Sequence, residues 1–185
     1  GTDHPDVGTT YNNMASVYDN QGEYEEALSY YSKALDIRLK ALGTDHPDVG
    51  TTYNNMASVY YNQGKYEEAL SYFSKSLDIK LKALGSDHPD VGSSYNNMAL
   101  VYDNQGKYEE ALSYYSKDLD IGLKALGTDH PSVGITFYNM ADLYKKQGDK
   151  GKAKDFFEKA LRIFQEKLGD DHPHTKIVQQ SLNNL

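Results

Sequence analysis

Apolar residues recur along the chain at the spacing of one helical face. After Pro5 they fall at Val7, Tyr11, Met14, Ala15 and Tyr18, the i, i+3, i+4, i+7 pattern of an amphipathic helix. Asn20, Gln21 and Gly22 interrupt the pattern, and glycine closes a helix because it enters the left-handed region without a Cβ penalty. A second, longer run carries Tyr24, Ala27, Leu28, Tyr31, Ala34, Leu35, Ile37, Leu39 and Leu42. Its first turn holds Glu25 and Glu26, where the helix dipole favours negative charge. Gly43 ends this run, and Thr44-Asp45-His46-Pro47-Asp48 restarts the first: proline is tolerated in an opening turn, and Asp45 or His46 is placed to cap it. The pattern predicts a helix A and a longer helix B joined by a few residues, and no strands.

The pair is copied. The block that starts at Gly1 returns in register at Gly43, Gly85 and Gly127, giving repeats 1–42, 43–84, 85–126 and 127–168, and begins a fifth time at Gly169. The second copy differs from the first at five positions and the third at seven, while the fourth diverges much more. A hairpin that cannot bury its apolar face alone must stack on its neighbours, so the expected fold is a right-handed array of helical hairpins forming a single domain over 1–185. Residues 169–185 should act as a capping helix, with Val178, Leu182 and Leu185 inward and Gln179, Gln180, Asn183 and Asn184 outward.

Tyr11, Met14, Ala15 and Tyr18, followed by Gly22, Tyr24, Ala27, Leu28, Tyr31 and Ala34, resemble the tetratricopeptide repeat pattern. The longer period, with Leu-Gly-x-Asp-His-Pro-Asp-Val, Asn-Asn-Met-Ala and Asn-Gln-Gly-x-Tyr-Glu-Glu-Ala, is similar to the kinesin light chain type of repeat. The resemblance implies an all-α fold: a right-handed α-solenoid of four tetratricopeptide-type hairpins plus a C-terminal capping helix. It further implies a concave groove, lined by the A helices, that binds a peptide or partner helix.

Helical spacing puts a polar strip on helix A opposite its apolar stripe. The first repeat offers Thr9, Asn12, Asn13, Ser16, Asp19 and Asn20. Asn12, Asn13, Asn54, Asn55, Asn96, Asn97 and Asn139 are the leading candidates for ligand contact, because a carboxamide both donates to and accepts from a peptide backbone. The structural alternative has them bonding across to the neighbouring A helix. Where otherwise copied units differ, the strip gains apolar character: Asp19 becomes Tyr61, Ser16 becomes Leu100 and Thr9 becomes Ile135. With Tyr138 these residues could accept an aliphatic or aromatic anchor. Acidic ligands of the family are held by basic groove residues, a role left here to Lys145 and Lys146.

Charge sharpens this picture. The net charge of -8 argues against general nucleic-acid binding, which needs clustered cations to displace counterions. The fourth repeat alone is basic, with 8 Lys and Arg against 6 Asp and Glu. An acidic start, a basic end and an uncapped first repeat would favour head-to-tail self-association. A structural or self-assembling array, natural or consensus-designed, is therefore the alternative to a peptide-binding module. Without cysteine there is no thiol chemistry or Cys-ligated zinc, and no apolar run reaches the roughly 20 residues of a membrane span. The expectation is a cytoplasmic, non-enzymatic scaffold with a protein or peptide partner and no cofactor. It begins at a repeat boundary and ends inside a fifth unit, as an excised or designed array would.

One histidine per repeat (His4, His46, His88, His130, His172) reads as a helix cap, since successive rings are too far apart to share a metal ion. Tyr30, Tyr72 and Tyr114 fall beside the packing stripe and are expected to be more exposed than their neighbours. Asp118 occupies the small position held by Ala34, Ser76 and Ala160, so its carboxylate needs a donor or water.

Overall fold

A computed structural model describes residues 4–185. Among them lie the helices α1 (Pro5–Gln21), α2 (Tyr24–Leu42), α3 (Pro47–Asn62), α4 (Tyr66–Leu84), α5 (Pro89–Asn104), α6 (Tyr108–Ala125), α7 (Pro131–Lys146), α8 (Lys150–Leu168) and α9 (Pro173–Asn183), with no strand among the described residues. Odd numbers are A helices and even numbers B helices. The chain divides into two compact units, Gly1–Gly85 and Ser86–Leu185. In the first, hairpins α1/α2 and α3/α4 join where α2 packs on α3; in the second, α5/α6 and α7/α8 join through α6 on α7, and α8 packs on α9.

The caps follow the sequence and decide one open choice. His46, not Asp45, is the N-cap of α3, and the same holds for His4, His88, His130 and His172. Each Nδ1 accepts the backbone N–H two residues on, at 3.1 to 3.3 Å, and proline follows at the first helical position. At the other end of α1, Gly22 takes φ 78° and its N–H reaches the carbonyls of Asp19 and Tyr18.

Helix B supplies one large ring per repeat to the core: Tyr31, Phe73, Tyr115 and Phe157 are all buried. Alanines sit where the paired helices approach, Ala15 with Ala27 and Ala141 with Ala153, each with no exposed surface. In the first unit Met56 and Val59 of α3 join Ala15, Ala27 and Tyr31 in one cluster. Their counterparts on α1 behave differently: Met14 is 37% exposed and Val17 54%, because no described helix B precedes α1 to cover them. At the other end Val178 is buried against α8, with Leu182 and Leu185 packed alongside, while Gln179, Gln180, Asn183 and Asn184 face outward.

Tyr30, Tyr72 and Tyr114 are half-buried, more exposed than the buried Tyr31, Phe73 and Tyr115 beside them, yet each is held by neighbouring rings. Tyr30 stacks on Tyr18 with ring centroids 5.3 Å apart, lies 5.9 Å from Tyr11, and carries Lys33 Nζ 4.5 Å above its ring. Tyr53, Tyr72 and Tyr60 with Lys75 repeat the arrangement, as do Tyr95, Tyr114 and Tyr102 with Lys117, and Phe137, Phe156 and Tyr144 with Lys159. Each cluster pins helix A to helix B of its own hairpin, whereas the adjacent ring (Tyr31 and its copies) packs inward. Burial and the neighbouring ring push the Tyr60 and Tyr114 phenols up, so they stay neutral at physiological pH.

Candidate functional site on the A helices

Within each unit the polar strips of successive A helices meet and bond to one another. In the first, Asn55 Nδ2 donates to Asn12 Oδ1 at 3.4 Å, and Asn62 Nδ2 to Asp19 Oδ1 at 3.4 Å. In the second, Asn139 Nδ2 donates to Asn96 Oδ1 at 3.0 Å, and Lys146 Nζ to Asp103 Oδ2 at 2.7 Å. These rungs form the ladder that the structural alternative anticipated, and each uses only part of a carboxamide's capacity of two donors and two acceptor lone pairs. Asn13 is exposed, whereas Asn54 and Asn97 are half-buried and also engaged.

The remaining candidates are not equivalent. Ser16 turns toward helix B, its hydroxyl 3.0 Å from that of Tyr31. Its counterpart Leu100 packs against the core cluster of Ala99, Ala111, Tyr115, Met140 and Leu143. Tyr61 is half-buried and lies 6.0 Å from the ring of Tyr66 in the first unit. Lys146 is shared between Asp103 and Asp142, at 2.7 and 3.0 Å, so its charge is already paired; Lys145 beside it is half-buried.

Ile135, Tyr138 and Asn139, by contrast, come together in a cleft of about 250 Å³ between α7 and α9. Phe164 of α8 and Val178 of α9 form its floor, and Ile177 and His174 of α9 its far wall. Ile135 and Ile177 are 38% and 46% exposed, so two large aliphatic side chains flank the opening. His174 stacks on Phe164 at 5.3 Å, and Tyr138 tilts against Phe157 at 5.6 Å, which fixes both walls. Sequence reasoning missed Phe164, His174, Ile177 and Val178. A signal was present: the position of Thr9 reads Thr51, Ser93, Ile135 and then Ile177 in successive copies.

The cleft occupies a locus that recurs between repeats and is built differently each time. Between α1, α2 and α3 it is closed by Arg38, a buried side chain whose Nη1 donates to the Asp48 carbonyl at 2.9 Å and to Thr52 Oγ1 at 2.7 Å. Between α7, α8 and α9 the corresponding residues are Phe164, His174 and Val178, and the locus becomes the apolar cleft. Between α5, α6 and α7 they are Gly122, Ser132 and Thr136, with Asp118 alongside. Asp118 has the donor its position demanded: Thr136 Oγ1 lies 2.7 Å from Oδ2. Burial still pushes its carboxyl up, a shift the Thr136 hydrogen bond offsets only in part.

Helix pairing, histidine caps and repeat register agree with a match of the tetratricopeptide repeat family over residues 6–82, 48–121 and 90–166. The chain belongs to the tetratricopeptide repeat family. Its fold class is the all-α tetratricopeptide solenoid, and it is similar to the crystal structure of BtubC (BKLC) from P. vanneervenii, with a TM-score of 0.85 and 23% identity over 97% of this chain and 72% of that one. It is also similar to the nearly identical TPR-like repeats assigned to a Podosopora anserina kinesin light chain, with a TM-score of 0.80 and 25% identity over 98% of this chain and 86% of that one. Aspartyl phosphate phosphatase F from Bacillus subtilis shares the fold at a TM-score of 0.82 and 17% identity, covering 95% of this chain and 44% of the other. No curated protein matches the sequence. Among the described residues of this tetratricopeptide repeat protein no cluster of His, Cys, Asp or Glu could hold a metal ion, and no helix is long and apolar enough to cross a membrane.

Proposed function

We propose that this chain is a non-enzymatic interaction module that holds a peptide or partner helix along the A-helix face of its second unit. The observation that carries the reading is the apolar cleft of about 250 Å³ beside the Asn96–Asn139 rung. An aliphatic or aromatic anchor would enter between Ile135 and Ile177, while Asn139 bonds the ligand backbone. Such pairing of an apolar pocket with sequence-indifferent backbone contacts is how helical grooves hold peptides. Lack of cysteine fits work in a reducing cytoplasm.

Selection of random peptides on the immobilised chain should enrich sequences with one large apolar residue. Ile135→Asp and Ile177→Asp, both at exposed positions, should each weaken the selected peptides at least tenfold in calorimetry while leaving the melting temperature nearly unchanged. Absence of enrichment, or affinities indifferent to both substitutions, would sink the proposal.

Head-to-tail association is the second reading, and the exposed Met14 and Val17 favour it. Geometry weakens it: the face of α1 matches surfaces that helix B covers elsewhere, whereas α9 is a helix of the A type. Docking α9 on α1 would break the A–B alternation. Sedimentation over a hundredfold concentration range should therefore show one monomeric boundary; a mass that climbs with concentration and falls back in Val17→Asp would favour self-association.

A further inference from the structure

Arg38 provides an internal template for a site that the second unit leaves open. Its stem passes Gly8, where Arg38 Cγ would lie 3.4 Å from an added Cβ, and its guanidinium is held by the Asp48 carbonyl and Thr52 Oγ1. In the second unit Gly122 replaces Arg38, and the space is a niche of about 40 Å³ that reaches the surface beside Pro89 and Ser93. A water needs roughly 10–15 Å³ measured this way, so the niche has room for a small planar group. The acceptor set survives, since Ser132 and Thr136 stand where Asp48 and Thr52 stand. Asp118 then adds what the first unit lacks, a carboxylate on the niche wall in place of Ala34.

This carboxylate is under-supplied with donors. Thr136 Oγ1 gives it one hydrogen bond, to Oδ2, while an ionised carboxylate offers about four acceptor sites. Its Oδ1 lies against Gly92, 2.8 Å from where a Cβ would be, so the backbone there has no side chain to compete for the space.

We propose that the niche between α5, α6 and α7 is a receptor for a guanidinium group, which takes the place in the second unit that Arg38 takes in the first. The group comes from an arginine of a partner chain or from a small guanidino compound. A planar fork with several N–H donors suits a carboxylate, a hydroxyl and a carbonyl converging on one small space better than a compact ammonium does. The site is distinct from the apolar cleft one repeat further on, and its test does not require that the cleft bind a peptide.

The test is a titration of the isotope-labelled full chain with ethylguanidinium, followed by amide NMR. Saturable shifts centred on Gly122 and Thr136, with half-saturation in the millimolar range, are expected. They should weaken at least tenfold in Asp118→Ala and vanish in Gly122→Arg, where an internal arginine fills the niche; should Gly122→Arg not fold, Asp118→Ala carries the test alone. An acetyl-Gly-Arg-Gly amide that binds more tightly than ethylguanidinium identifies a partner's arginine as the occupant, and equal affinity identifies a free guanidino compound. Shifts that never saturate, or that persist unchanged in a folded Gly122→Arg or in Asp118→Ala, overturn the proposal.

Discussion

Replacing Phe157 with alanine is expected to lower the unfolding free energy by about 3–5 kcal/mol, the largest loss any single truncation in the second unit should cause. Phe157 has no exposed surface and belongs to a cluster with Ala141, Ala153, Ala160, Ile163 and Phe164, whose alanines are too small to fill the void and whose larger members are themselves held in buried positions. The packing around it therefore relaxes little, and the cavity term adds to the lost transfer free energy. The ring also supports Tyr138, 5.6 Å away, so the same substitution removes the backing of one cleft wall. Chemical denaturation followed by circular dichroism measures the loss. A cost below about 1 kcal/mol would mean that the repeat recloses around the gap, which large-to-small core changes rarely allow.

Asp118→Ala should act in the opposite direction. Alanine is the residue at the equivalent positions of the first and fourth repeats, both fully buried, so the backbone already accommodates it. Thr136 loses one partner but keeps another, the Ser132 carbonyl at 3.1 Å, so no orphaned hydroxyl remains. Removing a desolvated carboxylate with a single donor is expected to stabilise the chain by about 1–3 kcal/mol at neutral pH. The pH dependence has a definite sign. Burial raises the folded-state pKa above the ordinary 3.8, so the folded chain binds the proton more tightly than the unfolded one. The penalty is absent below the unfolded value and grows as pH rises through the folded value. Melting temperatures of the variant and parent should converge near pH 4 and separate toward pH 8. A variant less stable than its parent at pH 7.5 would mean that the ionised Asp118 has a stabilising partner beyond Thr136. With the guanidinium niche, the variant would be a sturdier protein that has lost a binding site, the usual relation between stability and function.

Helices, turns and caps were legible because each rests on local chemistry. Gly22 after Asn20-Gln21, Pro5 after His4, and the i, i+4, i+7 spacing of Tyr11, Ala15 and Tyr18 need no information from another repeat. Exposure of Met14 and Val17 also follows from counting: the first copy of a stacking surface has nothing described before it. The asparagine rungs were harder, because the stagger of neighbouring A helices sets Asn12 opposite Asn55, one residue out of the repeat register. That offset is a property of packing, and it made solvent-facing candidates into partners of one another. The ring clusters around Tyr30 were hidden in the sequence for a related reason. A ring just off the packing stripe still reaches its own helix A when Tyr11 and Tyr18 bracket it. The niche and the cleft depend on residues from three helices and two repeats, Gly122 with Thr136, or Ile135 with Phe164 and Ile177. In sequence they are visible only as scattered differences between copies.

The aromatic clusters give the protein an optical readout of its own. It contains no tryptophan, so tyrosine dominates its near-ultraviolet signal. The stacked pairs Tyr18–Tyr30, Tyr60–Tyr72 and Tyr102–Tyr114 belong to the first three hairpins, whereas the fourth pairs Tyr144 with Phe156. Each pair lies within a single hairpin. With 15 of the 17 tyrosines in the first three repeats, near-ultraviolet dichroism therefore tracks mainly whether those hairpins are closed, while the far-ultraviolet band tracks helix everywhere. Fraying that starts at α9 and α8 would reduce the second signal before the first, and unfolding that starts at α1 would dim both together.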